Sequence, residues 1–370
     1  MQFEFSDVNQ AFETLVKGFD SGFIPTTITN SRNGTVKKAV EPVTVTFTNP
    51  RKRVLFNRAR DCNPFFHLFE AFWMLAGRND LRSVEHYISD FGKFSDDGVS
   101  LHGAYGHRWR NWFGYDQLEM IIKELIANPE SRRCVLQMWE GGNPPFAEYS
   151  GNLMPRSSDL HRATSGGKDV PCNLCCMFSI RTETVDRFDQ SDPMLSGRPL
   201  DKFNYLDMTV VNRSNDLIWG LLGANVVHFS YLLEHMANCI GVEVGHQTHF
   251  TNNLHAYVDS NSGWKPDKWL SVDSTHKLYG DLKTDGIGEA GPADLIHLMN
   301  VHTRLCQPLC VNNYLATTVQ PALMAFNFHK ERDYTNAQIH AKWIESQDWR
   351  IACRNWLDKR ELNWRKKENQ

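Results

Sequence analysis

The chain has no run of eighteen consecutive apolar residues, so nothing in it reads as a bilayer-crossing helix. It has no excess of charge either: 40 basic against 43 acidic residues leave a formal charge of −3. Such a balance gives no general attraction to nucleic acid or to an anionic membrane, and any phosphate recognition must come from local clusters. The opening residues, Met-Gln-Phe-Glu-Phe-Ser-Asp, lack the basic and apolar segments of a signal peptide. No internal repeat or linker is evident, and no C-x2-C pair is matched by a second at zinc-finger spacing. The nine cysteines are odd in number and irregularly spaced, which argues for a reduced, cytoplasmic setting rather than a disulfide framework. We therefore expect no metal, no nucleic-acid partner and no membrane.

What is present suits a folded enzyme. With 370 residues, 41% of them hydrophobic, the chain can bury a large core, and we expect one α/β catalytic domain over residues 1–370. Residues 8–18 have an amphipathic helical period, 27–50 alternate like strands, and 65–76 (FFHLFEAFWMLA) are apolar almost all round, the mark of a buried helix. Residues 82–95 read as polar helix, 101–112 as an aromatic and basic loop, and 116–127 as a helix capped by Asp116. A strand is expected at 134–139, a core helix at 225–239 and another strand at 251–258. Residues 308–328 look β-rich, and the charged tail from Arg350 looks helical. The Gly-, Pro-, Ser- and Asn-rich stretch 140–170 reads as an inserted excursion or lid, and the stretch 261–295 as a surface insertion.

The chemistry gathers around two apolar runs that read as neighbouring strands. Cys172 follows Pro171 at the mouth of the first, and the second, Leu206–Val211, runs into Asn212-Arg213-Ser214-Asn215-Asp216. A thiol, a guanidinium and a carboxylate brought together there would suit an anionic electrophile. The bland alternative for Cys172 is a small buried hydrophobe. A metal site on Cys172, Cys175 and Cys176 is disfavoured, because on an extended strand Cys175 points away from the other two. Arg32, Arg132, Arg133 and Arg213, in turns or at strand edges, form with Ser214 a candidate phosphate clamp, since guanidinium forks grip phosphate bidentately. Glu70, alone in its apolar helix, is either a general acid/base with a raised pKa or the partner of a buried arginine. His255 and Tyr257, two apart on a strand, share a face and suit a sugar hydroxyl. Asn225 is a helix cap or an amide that reads a base edge.

In order and spacing these pieces resemble the thymidylate synthase family: Arg32-Asn33-Gly34-Thr35, Glu70, Tyr105-Gly106 with Arg108-Trp109-Arg110, Ser131-Arg132-Arg133, Pro171-Cys172, Arg213-Ser214-Asn215-Asp216, Gly220, Asn225 and His255-Ala256-Tyr257. The resemblance implies an α/β (α+β) three-layer fold whose large mixed sheet forms a homodimer interface. It implies Cys172 as the nucleophile at C6 of a pyrimidine deoxynucleotide, with Glu70, Tyr105 and Asp216 completing the catalytic set. Arg32, Arg213 and Ser214 would hold the phosphate together with Arg132 and Arg133 from the partner chain, His255 and Tyr257 the sugar, and Asn225 the base. The co-substrate would be 5,10-methylenetetrahydrofolate, facing Asp216.

Several departures bear on the outcome of the reaction. Asn173 follows the cysteine where synthases carry histidine, and Phe91 and Phe94 fall where they carry two tryptophans. Gly220-Leu221-Leu222-Gly223-Ala224-Asn225 is one residue longer than the usual motif, and the apolar C-terminal tail is missing. Smaller rings and no closing tail admit water beside the reactive carbon. Asn215, third in Arg-Ser-Asn-Asp, is similar to viral deoxycytidylate hydroxymethylases. We therefore expect hydroxymethylation of dUMP or dCMP, with reductive methylation of dUMP to dTMP as the alternative.

Overall fold

The computed structural model describes residues 1–141, 147–149, 152–154, 158–185, 201–259, 263–272, 276–280, 282, 284–306, 308 and 310–368. A six-stranded mixed sheet has the order β1 (Gln2–Phe5), β4 (Val43–Phe47), β11 (Glu243–Thr251), β9 (Asp201–Asn212), β8 (Asn173–Val185) and β5 (Val135–Gln137). β1 runs parallel to β4 and β11 to β9, and the remaining pairs are antiparallel. A second sheet joins β10 (Asn215–Asp216), β12 (Leu254–Tyr257), β3 (Gly34–Ala39) and β2 (Thr26–Ser31), and β6 (Ala147–Tyr149) pairs with β7 (Asn152–Met154).

Against one face of the large sheet lies α7 (Asn225–Ile240), which packs on α2 (Pro64–Leu75) and α5 (Gln117–Ala127). Behind them stand α10 (Gln320–Lys330), α11 (Tyr334–Lys342) and α12 (Gln347–Glu368). The remaining helices are α1 (Val8–Ser21), α3 (Leu81–Glu85), α4 (Tyr105–Arg110), α6 (Asp159–Thr164), α8 (Pro266–Leu270) and α9 (Pro292–Val301). A π-helical segment, Leu217–Ala224, runs straight into α7. The resulting 24-residue helix, Leu217–Ile240, is long and apolar enough to span a bilayer, but most of it is buried inside the protein.

Local chemistry explains the element ends near the site. Asn63 caps α2 by accepting from the Phe66 N–H at 3.2 Å, with Pro64 preset for the first turn. Asp116 caps α5 as expected, accepting from Leu118 and Glu119. α2 and α4 cross so closely that a Cβ on Gly106 would lie 2.0 Å from the Met74 carbonyl oxygen. Only glycine fits there.

Other expectations give way. The expected β-rich stretch 308–328 is helical from residue 313 on: Leu315, Val319, Ala322, Leu323 and Phe326 recur at helical spacing and are buried, which outweighs the β-branched run Thr317-Thr318-Val319. The stretch 101–112 is not all loop, because α4 opens at Tyr105. Residues 82–95 are not one helix: they hold α3 from Arg82 to Glu85 and a short 3-10 turn, Phe91–Phe94. β11 escaped the sequence reading because its buried positions, Gln247, His249 and Thr251, are polar. The stretch 261–295 is no mere surface insertion: Trp269, Tyr279 and Ile287 are buried. There the Tyr279 hydroxyl accepts from the Val54 N–H at 2.8 Å and donates to Asp348 at 3.1 Å. Residues 261–262, 273–275, 281 and 283 lie outside the described residues. So do 142–146, 150–151 and 155–157 of the expected insertion 140–170, whose α6 is pinned by the buried Asp159–Arg108 pair at 2.7 Å.

Candidate active site

Cys172 immediately precedes β8, and its carbonyl accepts the Arg213 N–H at 2.9 Å just beyond the end of β9. The two predicted partners are thus held side by side. The Arg213 side chain donates to the carbonyls of Pro171 (2.9 Å) and Val170 (3.0 Å). Arg32, at the tip of the β2–β3 hairpin, donates to those of Gly167 and Lys168, both at 2.7 Å. Two guanidinium groups therefore converge on the chain entering Cys172. The tip is locked by Asp259, which accepts the Thr35 N–H at 2.6 Å. Gly34 sits at φ 126°, and a Cβ there would meet Asp259 at 2.8 Å. Burial pushes the Cys172 thiol above its ordinary pKa; Arg213 and Arg32 pull it down, and Asp169 pushes it further up.

A β-bulge between Asn173 and Cys175 breaks the regular alternation of β8. Cys172 is half-buried, while Cys176 is sealed and turns its thiol towards Asn173. Asn173 is itself buried and donates to the Val211 carbonyl at 3.0 Å, tying the nucleophile's strand to its neighbour. Tyr105, opening α4, faces the Asn173 backbone, and its pKa is raised by burial and then by Cys172 and Asp169. Asp169, given no role from sequence, accepts the Gly103 N–H at 2.7 Å.

Asp216 is held by β10, whose register pairs it with His255 on β12. Its Oδ1 accepts from Ile218 (2.7 Å) and Trp219 (2.6 Å), capping the long helix. Its buried Oδ2 has no hydrogen-bond partner among the described residues. Burial raises its pKa, against which the two N–H bonds, His255 and Arg60 act. Arg60 lies 4.0 Å from the Trp219 ring centroid. His255 and Tyr257 share a face as expected, their rings 5.5 Å apart.

Asn225 does not cap the start of a helix: the π-helical segment already precedes it, and its backbone N–H bonds the Gly220 carbonyl. Instead its amide donates to Asn215 Oδ1 at 3.0 Å. Gly220 makes room for this pair, since a Cβ there would lie 2.2 Å from Asn215 Oδ1. Ser214 follows Arg213 in the connection to β10 and is half-buried.

Glu70 is buried on α2, and its neighbour is not an arginine but His228 on α7, whose Nε2 lies 3.0 Å from Glu70 Oε2. His228 is the residue that sequence reading missed. A polar position three residues after Asn225 in an apolar helix was the available signal. Phe91 packs at a tilt on Phe66, one helical turn before Glu70, with ring centroids 5.8 Å apart, and Phe94 lies 5.3 Å from Phe91. Arg132 and Arg133 stand apart from this group: both are exposed just before the edge strand β5, and Arg133 reaches Glu124 at 3.2 Å.

The thymidylate synthase family model matches residues 21–268. The chain belongs to the thymidylate synthase family. Enzymes of this family act on a nucleotide and use methylenetetrahydrofolate. The chain is 46% identical over 347 residues to a deoxyuridylate hydroxymethyltransferase of Pseudomonas phage M6, covering 90% of this chain and 87% of the relative. A deoxyuridylate hydroxymethyltransferase of Bacillus phage SP01 is 36% identical over 259 residues, 67% of this chain and 56% of that protein. Thymidylate synthase from T4 phage superposes with a TM-score of 0.45 at 18% identity, covering 67% of this chain and 76% of that structure.

Proposed function

We propose that this chain hydroxymethylates C5 of dUMP, using methylenetetrahydrofolate and water. The observation that carries this reading is the 46% identity, over 90% of the chain, to a protein named deoxyuridylate hydroxymethyltransferase. The site suits the chemistry. Cys172 adds to C6 of the pyrimidine, which makes C5 nucleophilic. Arg32 and Arg213 exchange their backbone carbonyls for the stronger phosphate acceptor, with Ser214 beside them. His255 and Tyr257 take the sugar. Donation to Asn215 orients the Asn225 amide, and its oxygen and second N–H match N3–H and O4 of uracil.

The buried, unpartnered Oδ2 of Asp216 fits a donor on the folate ring, with Trp219 beside it. When bound, methylenetetrahydrofolate supplies the one-carbon unit at the oxidation level of formaldehyde. Glu70 handles the proton lost from C5. Phenylalanines at 91 and 94 leave space for water.

The same reading carries a homodimer. Met177, Val135 and Phe250 are exposed apolar side chains on the large sheet, and Arg132 and Arg133 sit at its edge, suited to reach a partner's phosphate. The nine free thiols suit a cytoplasmic setting.

The test is product mass after incubation with dUMP or dCMP and methylenetetrahydrofolate. We expect dUMP to gain CH2O with release of tetrahydrofolate. A gain of CH2 with release of dihydrofolate makes the enzyme a thymidylate synthase, and reaction with dCMP alone overturns the uracil assignment. Cys172→Ala should abolish turnover while nucleotide binding survives.

A further inference from the structure

We propose that His228 is a positioning residue which, with Glu70, holds the water that becomes the new hydroxyl group. The inference rests on the hydroxymethylation reading and adds to it a residue outside the set expected from sequence.

Its basis is a pair of buried side chains with polar atoms left unpartnered among the described residues. Glu70 is 7% exposed and His228 2%. Their nearest atoms stand 3.0 Å apart, but the arrangement is not that of a hydrogen bond. Glu70 Oε2 and both ring nitrogens of His228 have no hydrogen-bond partner among the described residues. Buried polar atoms of native proteins are nearly always satisfied, by protein or by ordered water, and a buried water needs two to four polar partners. A water bridging Glu70 and His228 meets that need for both.

The pair is also well placed. His228 lies three residues after Asn225 on α7, so both project from one side of the helix. Glu70 follows Phe66 by one turn on α2, and Phe66 carries Phe91, one of the smaller rings. His67, earlier on α2, is half-buried, and desolvation of its ring, His228 and Arg60 together hold its pKa down at about 3. It stays neutral near neutral pH.

The step balances without a redox partner. Water oxygen bonds to the exocyclic methylene carbon on C5, and the water's proton passes to the Glu70–His228 pair. The methylene π electrons move onto C5 and the C4 carbonyl as an enolate. The enolate re-forms the C5–C6 double bond and expels Cys172 as thiolate.

Exchange of C5 tritium into solvent reports the steps before water adds; hydroxymethyl product reports the step itself. The two should match in the wild-type enzyme. In a single turnover, with enzyme in excess over tritiated dUMP, His228→Gln and His228→Leu should release tritium within about threefold of the wild-type rate while product formation slows about tenfold or more, the scale of a disturbed proton-transfer group. Glutamine should lose less than leucine, and the Cys172-bound intermediate should accumulate in intact-protein mass spectra. A purely structural role would lower both rates together, and that result, or no change, overturns the proposal. A crystal structure of wild-type protein with dUMP tests it without a variant: a water within hydrogen-bond reach of both side chains is expected, and its absence overturns the proposal. Failure of the hydroxymethylation reading is distinguishable, because the wild-type product would then carry CH2 and the inference would fall with it. If the wild type adds CH2O and the ratio does not move, only the role of His228 falls.

Discussion

Replacing Gly106 with alanine tests whether the crossing of α2 and α4 sets the active site. The new Cβ would lie 2.0 Å from the Met74 carbonyl oxygen, 2.4 Å from its Cα and 2.5 Å from its carbonyl carbon. All three are backbone atoms, so no rotamer change relieves the clash. Ordinary contact begins at 3.4 Å, so the helices must part by roughly 1.4 Å. α2 is buried nearly all round and cannot recede. α4 must therefore swing out, against fully buried Trp109 and the Arg108–Asp159 ion pair. Overpacking together with a loosened buried ion pair costs about 3 kcal/mol. With an unfolding entropy of about 2.1 cal/mol/K per residue over 370 residues, Tm falls by about 4 °C. The swing carries Tyr105 away from Asn173 and Cys172, and a displacement near 1 Å in a catalytic arrangement costs about 100-fold in rate. Arg32 and Arg213 sit on other elements, so dUMP affinity should change little. Calorimetry, tritium release and nucleotide titration measure the three effects. Gly141→Ala is the control, since a Cβ there meets nothing within 4 Å. A Gly106→Ala protein with unchanged Tm and full rate would refute the reasoning.

Three further outcomes are expected. Arg213→Gln removes the charge that most lowers the Cys172 pKa, so the thiolate fraction falls and iodoacetamide alkylation at pH 8 should slow, whereas an unchanged rate would refute the role of Arg213. Asp216→Asn keeps a helix cap and Asp216→Ala loses one worth about 1 kcal/mol; both should raise KM for the folate about tenfold or more, while only alanine lowers the melting temperature, and equal folate kinetics in all three proteins would refute a role for Oδ2. Burial lowers the pKa of His67 and His249 to about 3 and of His235 to about 4. Groups depressed in this way stabilise the fold above pH 6.5 and lose that contribution as pH falls towards their folded values, by about 1.4 kcal/mol per pH unit each. Urea midpoints should fall steeply between pH 6.5 and pH 4, and His249→Phe should flatten the slope by about one proton.

The sequence by itself determined the elements whose pattern is strong and local. Periodicity marks α1, the apolar helix around Glu70, the helix capped by Asp116 and the strands on either side of Cys172. It also carried the order of site residues from Arg32 to Tyr257, because turn glycines, a cysteine after proline and Arg-Ser-Asn-Asp bear their chemistry in their spacing. β11 was illegible because its inward face is polar, and residues 308–328 misled because β-branched residues occupy a helix that tertiary packing stabilises.

Only the tertiary structure decided which side chains meet. It set His228 against Glu70 across two helices 158 positions apart in sequence, and turned Asn225 from a cap into the partner of Asn215. It gave Tyr279 a place in the core beside Val54 and Asp348, and left Arg132 and Arg133 away from the cysteine. Contacts of this kind depend on how helices cross and sheets pack, and no local pattern of residues encodes a distance between elements far apart in the chain.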